Sequence, residues 1–107
     1  MPQYALISDH TPLSCPAASK AAGKHAEEAL GQRMPALAEK LDIEILQFLH
    51  LDPGHKIFML VEAPTAEAVR DLVYEGGLMQ FNNIDFHLVT PIPEMVQRTK
   101  DWERPFA

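Results

Sequence analysis

Hydrophobic positions divide this chain into four β-like runs and two helical stretches. Tyr4 to Asp9 is short, largely apolar and stopped by Thr11-Pro12, as expected of a first strand. From Pro16, placed where a helix takes its first residue, Ala17 to Arg33 carries apolar Ala18, Ala22, Ala26, Ala29 and Leu30 at three- and four-residue spacing. Lys20, Lys24, Glu27 and Glu28 mark its wet face, and His25 is expected to be solvated there. Gly31 and Pro35 interrupt the pattern, so Ala36 to Leu41 reads as a kinked continuation or a separate helical turn. Ile43 to Leu51 and Lys56 to Ala63 form a hairpin across Asp52-Pro53-Gly54-His55. Thr65 then caps a second helix with the apolar stripe Val69, Leu72 and Val73, closed by Gly76-Gly77. Ile84 to Val89 is the fourth strand, bounded by Pro91 and Pro93.

The order βαββαβ constrains topology. A right-handed crossover through the first helix leaves room for strand three between strands one and two. This predicts an α+β, ferredoxin-like domain over residues 1–92 with an antiparallel sheet in the order 4-1-3-2. Residues 93–107 read as a short helix and tail, in which Trp102 and Phe106 are candidate anchors on a partner subunit. Alternation assigns Ala5, Ile7, Ile43, Ile45, Leu49, Ile57, Met59, Val61, Phe86 and Leu88 to the helix-covered face. The other face then carries Tyr4, Leu6, Ser8, His10, Glu44, Leu46, Phe48, His50, Phe58, Leu60, Glu62, Asp85, His87 and Val89. Its apolar middle exceeds what a monomer leaves open, so a second copy is expected to cover it.

The βαββαβ order, this half-apolar open face and the segment Phe58-Met-Leu-Val-Glu-Ala-Pro-Thr-Ala-Glu-Ala-Val-Arg resemble the dimeric α+β barrel superfamily, over Ile43 to Ile92. Within it, the Val61-Glu-Ala-Pro step is similar to small ferredoxin-like proteins, including a nickel-binding group. The resemblance implies a face-to-face homodimer whose two sheets form a barrel, and carries over no catalytic residue.

Composition narrows the function classes. The 107 residues suit one domain. A formal charge of −6 with scattered basic residues is not the footprint of a nucleic-acid binder. No apolar run approaches a membrane span, and the first basic residue is Lys20, which leads to the expectation of a cytoplasmic protein. The single cysteine, Cys15, excludes an intrachain disulfide.

Candidate chemistry concentrates at one rim. In the antiparallel order, strands one and two end where three and four begin, which draws His10, His50, His55 and His87 together, with Asp9 and Cys15 nearby. Imidazole with carboxylate or thiolate suits nickel, copper or zinc. These observations lead to a homodimeric protein holding a metal ion or small ligand at the barrel mouth. Two alternatives stand beside it. One is a cofactor-free monooxygenase or isomerase-like enzyme acting on a small aromatic, with Tyr4, Phe48 and Phe58 lining a pocket and Glu62, Asp85 or Glu44 as acid-base groups. The other is a structural or regulatory dimer without ligand. Cys15, placed before Pro16 at a helix N-terminus, is separately a candidate reactive thiol.

Overall fold

A computed structural model of the chain describes residues 1–102. The strands are β1 (Gln3–Asp9), β2 (Glu44–Leu51), β3 (Lys56–Glu62) and β4 (Asn83–Val89). They form one antiparallel sheet in the order β2-β3-β1-β4, which is the expected 4-1-3-2 order traversed from the other edge. The helices are α1 (Lys20–Glu28), α2 (Met34–Lys40), α3 (Ala66–Glu75) and α4 (Ile92–Thr99), and a 3₁₀ turn spans Leu78–Gln80. Arg104, Pro105 and Phe106 of the predicted tail lie outside the described residues.

The first helix starts later than its sequence suggests. Cys15 and Pro16 belong to a preceding turn in which the Cys15 carbonyl accepts from the amides of Ala18 and Ser19, at 3.0 and 2.9 Å. Ser19 is the cap, its Oγ accepting from the Ala22 amide at 3.3 Å. A hydroxyl that satisfies an orphan N–H defines the helix start more strongly than proline's dihedral preference. Gly23 allows this turn to lie against α1, because a Cβ there would stand 2.9 Å from the Pro16 carbonyl oxygen. The kink is a π-helical stretch, Ala29–Arg33, joining α1 to α2 with Pro35 in the first turn of α2. The Met34 amide donates to the Ala29 carbonyl five residues back, and the wider turn accommodates the ring of a proline that has no N–H to donate.

Thr65 caps α3 as expected, accepting from the Ala68 amide at 3.1 Å, and Val69, Leu72 and Val73 are buried. Gly77 follows in the left-handed region at φ 88°, where glycine carries no steric penalty. Its carbonyl accepts from His25 Nε2 at 2.8 Å, and the His25 ring meets Phe81 edge-on at 5.6 Å. His25 is therefore a half-buried brace between α1 and the α3–β4 connection, a correction to its expected solvation.

Register corrects the face assignments in two strands. Tyr4, Leu6 and Ser8 lie opposite Val61, Met59 and Ile57 and are buried with them under the helices. Residues directly opposite share a face. Ala5 and Ile7 therefore point to the open side, the reverse of their assignment. From Tyr4 to Ile7 both sides of β1 are apolar, and burying Tyr4 and Leu6 removes more surface than burying Ala5 and Ile7. In β2 a bulge between Ile45 and Gln47 inverts the alternation. Phe48 and His50 move to the helix side, opposite Met59 and Ile57, and Leu49 moves to the open face, opposite Phe58. The assignments in β3 agree with the register, and in β4 Phe86 lies opposite Leu6.

The open face remains rich in apolar side chains, though different ones from those expected. Ile7, Leu49, Leu51 and Val89 are exposed, and Phe58 and Leu60 are half-buried. α4 buries none of its residues and leaves Ile92, Met95 and Val96 exposed at i, i+3 and i+4. Trp102 beyond it is also exposed. Among the described residues, no helix is long and apolar enough to cross a membrane.

Candidate metal centre

The β1–β3 ladder continues one step past its last paired residues. The His10 amide donates to the His55 carbonyl at 3.0 Å, which carries two histidines to the same corner of the rim. Their rings meet edge-on with centroids 5.5 Å apart. The turn after β1 returns Cys15 to this corner, held by the Cys15 carbonyl bonds and the close approach of α1 at Gly23. One donor atom from each of His10, Cys15 and His55 lies within 4.8 Å of the other two. An ion with ligands at the usual 2.0–2.3 Å holds its donors about 3.5 Å apart, so an inward shift of about 1 Å brings this trio to bonding geometry. Cys15 and His10 are buried and His55 is half-buried.

A hydrogen-bond relay assigns the protons on His10. Asn82 Nδ2 donates to the Leu78 carbonyl at 3.1 Å, which orients the amide and turns Oδ1 toward His10. That oxygen lies 2.8 Å from His10 Nδ1 and accepts its proton. Nε2 is then the nitrogen with the free lone pair. It is buried without a hydrogen-bond partner in a residue only 9% exposed. A buried polar atom of this kind calls for an explanation, and a bound ion supplies one.

The other predicted ligands lie elsewhere. His50 is on the helix side of β2, separated from β1 by β3 and hence by about 10 Å, and its Nδ1 is paired with the Asp52 carboxylate in solvent. His87 lies opposite Ala5 on the open face, four residues into β4 and about 13 Å along the strand from the rim. Parity and strand direction alone had placed both with His10. His50 in fact shares the helix side with His10, but β3 stands between β2 and β1, and His87 is kept away by the opposite face and by the length of β4 before it.

The aromatic and acidic residues expected to bind a small ligand are not brought together within one chain. Tyr4 is buried on the helix side with its ring 6.1 Å from Phe86, Phe48 is exposed on the same side near Leu30, and Phe58 is on the open face. Glu62 accepts from Gln3 Nε2 at 3.2 Å, at the end of the sheet away from His10. Asp85 is exposed on the open face opposite Ile7, and Glu44 is exposed opposite Glu62. Cys15, expected near the rim, joins His10 and His55 there. Asn82 was not among the residues singled out from the sequence. The usable signal is its place in the rim, because an asparagine just before β4, beside the end of β1, is positioned to meet the histidine that follows β1.

No family model matches the sequence, and no curated protein matches it either. Among solved structures, the chain is similar to a dimeric ferredoxin-like protein from an uncultured marine organism, at 12% identity and a TM-score of 0.48, over 86% of this chain and 95% of that one. The strand order and antiparallel pairing of the chain itself make it an α+β domain of ferredoxin-like topology.

Proposed function

We propose that this protein binds one transition-metal ion through His10, Cys15 and His55. The observation that carries the reading is the buried, unpartnered Nε2 of His10, in a residue with a ring nitrogen within 4.8 Å of donor atoms of a buried thiol and a second imidazole. Two imidazoles and one thiolate suit zinc or copper, and also nickel, and disfavour calcium and magnesium, which take oxygen ligands. Three protein ligands leave one position of a tetrahedral site for water or a small ligand. Titration of purified protein with zinc, copper and nickel is expected to reach one ion per chain. Cys15→Ser and His55→Ala are each expected to weaken binding at least 100-fold. Wild-type affinity retained in both variants contradicts the assignment.

We propose also that two copies pair through the open face of the sheet. Ile7, Leu49, Leu51, Phe58, Leu60 and Val89 form an apolar field across all four strands, larger than the scattered apolar residues normal on a monomer. A two-fold axis through this field brings each copy's apolar centre against the other's and keeps the acidic Asp9, Glu44, Glu62 and Asp85 toward the margins. Light scattering at micromolar concentration is expected to give twice the chain mass, and Leu60→Lys to give the chain mass. A wild-type monomer contradicts pairing.

A further inference from the structure

We infer that Asn82 is a positioning residue for the metal centre, holding His10 in the one tautomer that leaves Nε2 free to bind. This rests on the metal reading and adds to it a residue that would not itself touch the ion. Asn82 is 8% exposed, and both ends of its amide are engaged. Nδ2 is bonded to the carbonyl of Leu78, in the 3₁₀ turn, and Oδ1 faces His10 Nδ1. The first contact determines the second, because an amide that must donate to Leu78 has only its oxygen left for His10. An oxygen without hydrogen requires Nδ1 to carry the proton. The proton on Nδ1 in turn empties Nε2, the buried atom that finds no partner in the fold.

A free imidazole divides its proton between two nitrogens, and a metal site needs one of them bare. Outer hydrogen bonds commonly make that choice for a ligating histidine, and their loss lowers metal affinity by about 10- to 100-fold. Here the control comes from a neutral amide anchored on the backbone, so it carries no net charge into the pocket. Leu78 is 1% exposed in the hydrophobic core and Phe81, also buried, lies 6.1 Å from the His10 ring, which fixes the anchor itself. Asn82 thereby connects the orientation of a ligand to the packing of the α3–β4 connection.

Two substitutions separate tautomer control from plain structural support. Asn82→Leu removes both hydrogen bonds. Asn82→Asp loses the bond to Leu78 and keeps an acceptor for Nδ1–H. Zinc affinity by competition with a chromogenic chelator is expected to fall 10- to 100-fold in Asn82→Leu and to stay within about threefold of wild type in Asn82→Asp. Long-range proton–nitrogen NMR of the metal-free proteins is expected to show His10 protonated on Nδ1 in wild type and Asn82→Asp, with both tautomers present in Asn82→Leu. Equal zinc affinities in all three proteins, or equal weakening in both variants, overturn the inference while leaving the metal centre standing. If wild type binds no zinc, copper or nickel, the metal reading falls and the positioning role falls with it. An unchanged His10 tautomer in a folded Asn82→Leu overturns the inference whatever the metal result.

Discussion

Two corners of the same rim carry a histidine whose Nδ1 meets a side-chain oxygen, and they differ in every other respect. At the β1–β3 corner, His10 pairs with Asn82 inside the fold, and Cys15 and His55 converge on it. At the β2 corner, His50 pairs with Asp52, both side chains at least half exposed, and no group of three metal-ligating side chains forms there among the described residues. The His50 pair is a surface contact, worth little against side-chain entropy and screening by salt. The local bond is alike in kind, so it cannot be what makes a site. Burial does so in two ways, by denying Nε2 the solvent that satisfies an exposed imidazole and by forcing neighbouring donors into one small volume.

The largest effect expected from this contrast is on stability in the presence of metal. An ion that binds only the folded chain stabilises it by about 2.7 kcal/mol at a free concentration 100 times its dissociation constant, less any binding to the unfolded thiol and imidazoles. Urea unfolding with and without zinc is expected to show this shift in wild type and in His50→Ala. It should disappear in Cys15→Ser. A shift that survives Cys15→Ser but disappears in His50→Ala would move the site to the wrong corner and break the comparison.

Much of the frame behind this comparison was legible in the chain, because it depends on strong local signals. Gly76-Gly77 closes α3, Thr65 caps it, and the order of elements with a right-handed crossover yields β2-β3-β1-β4. The faces of β1 and β2 were not legible, for different reasons. In β1 both sets of alternating residues are apolar enough to be core, so only pairing with Met59 and Val61 decides between them. In β2 the bulge beside Leu46 has no glycine to mark it, and one extra residue reverses Phe48, Leu49 and His50 together. His10 and His55 could be paired from strand direction, since they end and begin adjacent strands. His50 and His87 depended on distances across and along the sheet, where one intervening strand or four residues is decisive. Asn82 required the register of β4 against β1, Asp9 opposite Asn83, before its contact with His10 could be drawn.

Stability without metal offers a smaller test of the same contrast. His10→Ala removes a buried ring that touches His55 and Phe81 and leaves Asn82 Oδ1 without its donor, a loss of about 2 kcal/mol. His50→Ala removes a half-exposed ring and a solvent-screened contact, and is expected to stay within about 0.5 kcal/mol of wild type. Chemical denaturation of the two metal-free variants measures both at once. Unequal losses in this order mean that the fold alone already distinguishes the corners, so the binding corner is built before any ion arrives. Equal, small losses would instead mean that the His10 corner is loosely held without metal, and the ion would then have to supply order that the hydrogen-bond relay was argued to provide.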